Sequence, residues 1–488
     1  MSMSRSLSVQ SVMSLARQLI HVVPLPFPSP SFLSSPNLAM ARITYVPLQT
    51  IGELSIATST EEADPQVAKN ALFDFSLLFQ NLKFIPSAFK SERRPDPLPG
   101  IPATPEPATV QRIIEVLEVN GLDICLIGIL VTILPTGNFI FGWRLWQLMF
   151  VLGAIVYIAL LPFATPKDAI VKSKFHLRHP HRHDREKWLY IGSPRRYSHS
   201  FHAQESCDRL AMTFQRPITA ITVNSYGYVY DTVFRLGLQS CETDRTFDVI
   251  KKQLNDADID KVVVIAHSLG GVVLSNTMNK LLESVAPELA KKLEIFTFGS
   301  AAFTFPNPLD PPEQDVNTPT PTFLIPIIEH YANALDPIAR IGVIHHTRKR
   351  PGRRYAGKVF IQQEATGALF DEHYLTAMFP AREGRDQGVH GMPRMSPFLD
   401  QMVCVDETTA KKRAETFVDA TMPFEPGTID MNVDDEMNAW RRRSNADMYA
   451  KSRRASVVEE TEKAVEEGSG RTVRQLSRLW KYVGGGTA

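Results

Sequence analysis

The chain has few cysteines and no glycosylation signal. It has four cysteines in 488 residues: Cys125 lies in an apolar run, and Cys207, Cys241 and Cys404 are scattered without the spacing of metal ligands. No asparagine begins an Asn-x-Ser/Thr sequon. These absences exclude a disulfide framework and favour the reducing side of a membrane.

Net charge is also nearly absent. The 53 Lys and Arg residues are balanced by 52 Asp and Glu residues, which gives a formal charge of +1. A globally basic nucleic-acid binder and an acidic solvating chain are therefore excluded, so no nucleic-acid partner is expected. The length is sufficient for one catalytic domain with extensions.

Acidic residues are missing from the start of the chain, where the first is Glu53. The serine-rich first 40 residues, with Arg5 and Arg17, have a composition that mitochondrial transit peptides share with disordered tails, and both interpretations stay open. Six prolines between residues 95 and 107 indicate an extended linker. We therefore predict a disordered, proline-rich region over residues 1–109.

Long hydrophobic runs occur in one part of the chain. Residues 124–142 and 145–163 are almost wholly apolar, with Arg144 as the one charge between them. Each run is close to the roughly 20 residues that span a bilayer. We predict a transmembrane helical hairpin over residues 110–166. Buried core helices are the alternative, and a proline and an asparagine in the first run leave a re-entrant loop open there.

The stretch that follows, residues 167–187, carries seven Lys or Arg residues against three acids. By the positive-inside rule this flank stays cytosolic. We therefore predict an integral membrane protein whose next domain faces the cytosol and contacts membrane lipids, with a mitochondrial membrane as the alternative. Four histidines between residues 176 and 183 lack cysteine partners, so a basic linker is favoured over a metal site.

Between residues 188 and 404, short apolar strands alternate with amphipathic helices. This alternation predicts an α/β domain whose mainly parallel sheet is covered by helices on both faces. The unbroken β-branched run in Lys261 to Ala266 indicates a central strand buried on both sides.

A candidate nucleophile directly follows that strand, in Ala266-His267-Ser268-Leu269-Gly270-Gly271. A serine on a sharp strand-to-helix turn has a strained backbone, which requires small residues two places either side of it. Ala266 and Gly270 meet that requirement. We predict that Ser268 is a nucleophile on an elbow formed with Ala266, His267 and Gly270; an ordinary strand–helix turn is the alternative.

The same turn predicts an oxyanion site. It aims the Leu269 N–H and the start of the next helix at a developing negative charge. A second donor is expected from the loop after the Trp188–Ile191 strand, which makes Gly192 and Ser193 the candidates.

A serine nucleophile also needs a base and a group that orients the base. Asp336 follows a predicted strand in a turn that exposes a carboxylate, and His373 follows the next strand. Ser268, Asp336 and His373 therefore stand in Ser…Asp…His order. Asp336 could instead be a turn former before Pro337, and His330, His345 and His346 are open alternatives to His373 as the base.

These motifs resemble the α/β-hydrolase superfamily, especially class 3 lipases and a group of fungal membrane proteins with a lipase-like domain. The resemblance covers roughly residues 187–401, and it rests on the serine turn, on Phe298-Gly299-Ser300 and on the run from His330 to Arg340. It implies that Asp336 is the triad acid. The family histidine often stands in Gly-His-Leu, whereas this chain has Gly367-Ala368-Leu369 there.

The function implied is hydrolysis of a carboxylic ester, on a lipid at the membrane, through an acyl-serine intermediate and without a cofactor. An acyltransferase with the same triad is one alternative. The other is an inactive hydrolase fold that serves as a membrane scaffold, in which Ser268 remains as a structural turn.

The last part of the chain, residues 405–488, is a predicted polar tail. Arg453 and Arg454 precede Ser456, which makes that serine a candidate phosphosite for a basophilic kinase. Near residues 471–483 an amphipathic helix is predicted, with valine, leucine and tryptophan on one face and basic residues around it. That face suits an anionic bilayer, or alternatively packs on the catalytic domain.

Overall fold

The structure is a computed structural model. It describes residues 43–47, 81, 84, 170–177, 183–192, 199–223, 241–308, 323–348, 355–379, 396, 398–407, 463, 465–466 and 468–487. The two predicted membrane runs, Ser193 and Ser456 lie outside these ranges. Within them, no helix combines the length and the apolar character needed to cross a membrane.

The described strands form one mixed, mostly parallel sheet. They are β1 (Ile43–Val46), β2 (Ile170–Lys172), β3 (Glu186–Gly192), β4 (Ile218–Thr222), β5 (Lys261–His267), β6 (Leu293–Phe298), β7 (Ile327–Asn333), β8 (Lys358–Gln362) and β9 (Val403–Val405). Their order is β2-β4-β3-β5-β6-β7-β8-β1-β9. Neighbours from β4 to β8 are parallel, β2 and β1 pair antiparallel with β4 and β8, and β9 is parallel to β1. The predicted α/β class with a mainly parallel sheet is confirmed.

Helices lie on both faces of this sheet. They are α1 (His199–Phe214), α2 (Cys241–Leu254), α3 (Leu269–Ser284), α4 (Pro287–Ala290), α5 (Pro337–Ile341), α6 (Val343–Arg348), a π-helix (Phe370–Leu375), α7 (Thr376–Met378), α8 (Val473–Leu476) and a 3₁₀ helix (Leu479–Gly485). Alternate strand residues point to opposite faces and so divide the core into two layers. One layer joins the sheet to α1, the π-helix and the last residues of the chain. The other joins it to α2, α3, α5 and α6.

The sheet extends beyond the predicted domain of residues 188–404. Strand β1 comes from the region 1–109 that was predicted to be disordered, and all of its residues are buried. Strand β2 comes from the predicted basic linker, residues 167–187. Both predictions were wrong for these residues, because strands of three or four residues carry almost no periodic signal and owe their stability to pairing with partners far along the chain.

The C-terminal segment, residues 471–487, is also part of the folded domain. The predicted amphipathic helix over 471–483 is instead two short helices, α8 and the 3₁₀ helix. Its apolar residues are buried in the core: Val473, Leu476, Leu479, Tyr482 and Val483. The alternative of packing on the domain is therefore correct, and this apolar face is not exposed to a bilayer.

Candidate active site

Ser268 lies on the turn between β5 and α3 and has a strained backbone, with φ 55° and ψ −119°. Non-glycine residues rarely adopt such angles unless their surroundings enforce them. Here the Ser268 N–H donates to the Phe298 carbonyl at 3.0 Å, and the Ser268 carbonyl accepts from the N–H groups of Gly271 and Ala301 at 3.0 and 3.1 Å. The neighbouring strand end and the first helical turn therefore hold the serine in place.

The glycines after Ser268 are required by close packing. A Cβ atom on Gly270 would collide with the carbonyl oxygen of Ile191, and one on Gly271 would collide with the Ser300 hydroxyl. Ala266 is fully buried two places before the serine. The elbow predicted from the sequence thus has a physical basis in the approach of β3 and β6 to the start of α3.

The predicted oxyanion donors lie at the same end of the sheet. Leu269 is the first residue of α3, and Gly192 is the last residue of β3, the strand next to β5. The Gly192 carbonyl accepts the Val223 N–H at 2.9 Å, which fixes the peptide chain at this point. Ser193, the other candidate, lies outside the described residues.

His373 belongs to the π-helix and leans on the loop that precedes it. Its Nδ1 accepts the Leu369 N–H at 3.0 Å, and a Cβ atom on Gly367, which has φ +95°, would collide with the imidazole. Between these two residues stands Ala368, at the position where the lipase resemblance expects a histidine. His373 therefore brings an imidazole to that loop from a position further along the chain.

This loop also contacts the elbow itself. The His267 Nε2–H donates to the Ala368 carbonyl at 2.9 Å, and the His267 ring lies 5.2 Å from the Phe370 ring. Burial lowers the pKa of His267 to about 4, and the nearby charge of His373 acts in the same direction. His267 is consequently a neutral packing residue that joins the elbow to the His373 loop.

The hydrogen bond to His373 fixes the tautomer of its neutral ring. Because Nδ1 accepts from Leu369, the proton of the neutral ring is on Nε2. A base for Ser268 needs the reverse arrangement, with the proton on Nδ1 and a free lone pair on Nε2. The imidazole is therefore held in a resting orientation.

Asp336 does not contact His373 as the predicted triad requires. Its Oδ1 accepts the Ile338 N–H at 2.8 Å and so caps α5, and its Oδ2 accepts the Tyr374 hydroxyl at 2.6 Å. The π-helix presents the residue after His373 to this carboxylate. Burial raises the pKa of Asp336 to about 7, against the opposing effect of the Tyr374 and backbone hydrogen bonds.

The other candidate bases lie elsewhere. His330 is in the core, where Nδ1 is 2.7 Å from the Thr297 hydroxyl and Nε2 donates to the Ala356 carbonyl at 2.8 Å. His345 and His346 belong to α6, in the core layer opposite to that of the π-helix. His373 is therefore the candidate base that the fold places beside the elbow.

Sequence reasoning missed two residues of this site, Asn333 and Tyr374. The Asn333 side-chain amide donates to the carbonyls of Gly367 and His373 at 3.1 and 3.4 Å, and its backbone N–H donates to the Tyr374 hydroxyl oxygen at 3.2 Å. Their adjacency to Asp336 and His373 was a usable signal, but spacing alone does not reveal which neighbour a carboxylate contacts. Among the described residues no group of three or more His, Cys, Asp or Glu side chains is arranged to hold a metal.

Comparisons with known proteins add no assignment. No protein-family model, curated protein or solved structure matches this chain.

Proposed function

We propose that the chain is a serine hydrolase of the α/β-hydrolase fold that acts on a carboxylic ester, with Ser268 as the nucleophile. The observation that carries the proposal is the strained Ser268 backbone on a turn between a buried central strand and a helix. Strain of this kind clusters at functional sites, because only an over-determined surrounding structure maintains it.

The order of the strands supports the same fold. The serine follows β5, Asp336 follows β7 and the candidate base follows β8, each at the carboxyl end of a parallel strand. That is the chain order of nucleophile, acid and base in α/β hydrolases. The candidate groups thus gather at one end of the sheet, where open α/β sheets bind their ligands.

The proposed reaction has two stages. The Ser268 oxygen attacks the ester carbonyl, His373 takes the serine proton, and the Leu269 N–H with a donor near Gly192 stabilises the oxyanion. Collapse breaks the ester C–O bond, and the leaving alcohol receives the proton from His373. Water then attacks the acyl-serine, gives up its proton through the same imidazole, and releases the acid while restoring the serine hydroxyl. Before the first step, Nδ1 of His373 must exchange the Leu369 N–H for a proton of its own.

A lipid ester at a membrane is the proposed substrate class. Only residues 164–169 separate the second predicted membrane run from β2, the first strand after it. At the roughly 3.3–3.6 Å that one extended residue spans, this connection holds the domain within about 25 Å of the end of the run. A bilayer would then present its esters at high local concentration. An acyltransferase would use the same site with an alcohol in place of water.

An inactive membrane scaffold is the second candidate, and one observation favours it. The Nδ1 atom of His373 accepts a backbone N–H and the Asp336 carboxylate contacts Tyr374, so the described contacts do not form a working relay.

A fluorophosphonate probe separates the two candidates. For a hydrolase we expect the full-length protein to be labelled, the Ser268→Ala variant to be unlabelled, and the control Ser284→Ala to be labelled like the wild type. Ser284 is the last residue of α3 and bonds within its own helix. Equal labelling of wild type and Ser268→Ala would contradict the nucleophile assignment, and a folded but unlabelled wild type would favour the scaffold.

A further inference from the structure

We infer that Asp336 is a positioning residue that acts through Tyr374, and that it fixes the π-helix carrying His373 instead of orienting the imidazole directly. The inference rests on the proposed hydrolase function. It predicts different effects for substitutions of Asp336 and Tyr374 than a direct relay would. Both side chains are buried, and their hydrogen-bond partners lie among the described residues.

The geometry of the pair leaves little freedom to either partner. Both carboxylate oxygens of Asp336 are engaged, one by the N-terminus of α5 and one by Tyr374. The Tyr374 oxygen also accepts the Asn333 N–H. Gly299 closes the remaining side: its φ is +52°, and a Cβ atom there would lie 2.6 Å from Asp336 Oδ2 and 2.7 Å from the Tyr374 oxygen. Only a glycine fits against this pair.

Contacts at the start, middle and end of the π-helix attach it to the rest of the site. At its start, Asp371 accepts the Ser206 hydroxyl at 2.7 Å, and the Phe370 ring stacks on Tyr190 with centroids 5.0 Å apart. Near its middle, the Asn333 amide donates to the His373 carbonyl. Towards its end, Tyr374 donates to Asp336. The last attachment follows His373 directly and, together with the Asn333 hydrogen bond to the His373 carbonyl, positions its Cα.

Substitution by asparagine distinguishes anchoring from direct orientation. An asparagine at 336 can keep the α5 cap with its oxygen and donate from its amide to the Tyr374 oxygen. The anchor then persists with the hydrogen bond reversed, although the Tyr374 hydroxyl loses residue 336 as its acceptor. We expect Asp336→Asn to lower kcat by less than about 10-fold and Asp336→Ala to lower it by about 100-fold, within the range that misplacement of a catalytic group causes. A carboxylate that oriented the imidazole directly would give about a 10⁴-fold loss in the asparagine variant.

Tyr374→Phe should resemble Asp336→Ala, with most of its loss in kcat and little change in KM. The double variant Asp336→Ala/Tyr374→Phe should be no worse than the more damaged single variant, because both remove the same contact. The matched control is Tyr331→Phe. Tyr331 donates to the buried Glu329 carboxylate at the same 2.6 Å, within β7 itself, and its hydroxyl also bonds to Ser477 of the C-terminal segment. The Tyr331→Phe variant should lose about as much stability as Tyr374→Phe and keep its kcat.

The pH dependence of fluorophosphonate labelling separates anchoring through Tyr374 from direct orientation of the imidazole. If Asp336 acts through Tyr374, Asp336→Asn leaves the acid-side midpoint of labelling where the wild type has it. If the carboxylate faced the imidazole, its removal would lower the pKa of His373 and move that midpoint to lower pH.

Two outcomes would overturn the inference: a loss above about 1000-fold in Asp336→Asn with near-normal Tyr374→Phe, which the direct relay predicts, or full additivity of the two substitutions. Failure of the proposed function is recognised separately, as a folded wild type that the probe does not label. In that case, the coupling of Asp336→Ala and Tyr374→Phe in the free energy of unfolding decides whether the anchor exists.

Discussion

Two buried tyrosine–carboxylate pairs, one within β7 and one beyond its carboxyl end, have different surroundings. Within β7 Tyr331 donates to Glu329, whose carboxylate lies towards the amino end of the strand, and beyond the carboxyl end Tyr374 donates to Asp336, each over 2.6 Å. Glu329 also accepts from the Ser477 hydroxyl and the Arg478 N–H, at 3.2 and 2.8 Å. Asp336 has the backbone N–H groups of Ile338 and Ala339 in addition to its tyrosine.

The two carboxylates differ in the groups that oppose the effect of burial on their pKa. Lys358 opposes the rise that burial causes in the pKa of Glu329, so the amino end surrounds its carboxylate with a cation and several donors. The carboxyl end leaves Asp336 with a pKa of about 7, because burial dominates and no cation among the described residues opposes it. Burial therefore raises the pKa of both carboxylates, but Glu329 has an opposing cation, and a carboxylate whose raised pKa is not opposed in this way is typical of functional sites.

The largest expected effect comes from removing the C-terminal segment. A chain that stops after Gly470 loses five buried apolar side chains, each contributing about 1.5–3 kcal/mol, against a typical total stability of about 5–15 kcal/mol. We expect no cooperative thermal unfolding transition, measured by tryptophan fluorescence on detergent-purified protein. A chain that stops after Gly486 keeps the segment and should unfold like the full-length protein. A normal transition in the shorter chain would show that the segment is dispensable.

Removing the Arg216 side chain, which lies just before β4 at the amino ends of the parallel strands, should have the next largest effect. Arg216 is fully buried and donates to the Glu186 carboxylate and to the Gly486 carbonyl, each at 2.6 Å. Arg216→Ala leaves Glu186 without this partner, which we expect to cost about 3–5 kcal/mol of unfolding free energy. Arg185→Ala removes an exposed pair with Asp260 and should cost less than about 1 kcal/mol. Similar losses of unfolding free energy in the two variants would show that burial does not make the Arg216 contacts more important than an exposed ion pair.

At the carboxyl end, Gly299→Ala should affect activity more than stability. Its φ of +52° costs an alanine about 1–2 kcal/mol, and the added methyl group would displace the Asp336–Tyr374 pair. Gly470→Ala is the control, since Gly470 has φ +74° and nothing lies within 4 Å of an added Cβ atom. We expect Gly299→Ala to lose more stability than Gly470→Ala, by about the 1–3 kcal/mol that overpacking costs, and to be the one variant of the two with slower fluorophosphonate labelling. Unchanged labelling would mean that the pair does not position His373.

The sequence predicted the centre of this fold better than its edges. The β-branched run in β5 and the serine turn after it can be recognised from the sequence, because continuous burial and a strained turn each require particular residue types. Ile43–Val46 is a four-residue strand that pairs with Lys358–Gln362, more than 300 residues away, and local periodicity cannot report such pairing. The Asp336–Tyr374 contact was equally hidden, because it depends on a π-turn that spacing rules for α-helices do not anticipate.

The last expected effect is a difference in how stability depends on pH. Asp371, at the start of the π-helix, has a pKa raised to about 7 by burial, although Ser206 and Arg209 oppose the rise. Because the folded pKa exceeds the unfolded value of about 3.9, the contribution of Asp371 to stability is fully present below about pH 4 and is lost as the pH rises to about 7. Asp371→Asn should therefore gain stability relative to wild type over that interval.

Asp400 provides the matched group of opposite sign. The Arg474 hydrogen bond lowers the pKa of Asp400, so its contribution is present above about pH 4 and is lost as the pH falls through the folded pKa. Urea unfolding from pH 4 to pH 7 should show Asp371→Asn gaining on the wild type by at most about 1.4 kcal/mol per pH unit. Over the same interval Asp400→Asn should lose slightly, because its carboxylate is partly exposed. If unfolding free energy depends on pH in the same way in wild type and Asp371→Asn, water must reach the Asp371 carboxyl. Of the two carboxyl groups near the carboxyl ends of the strands, only Asp336 would then have a pKa raised by burial.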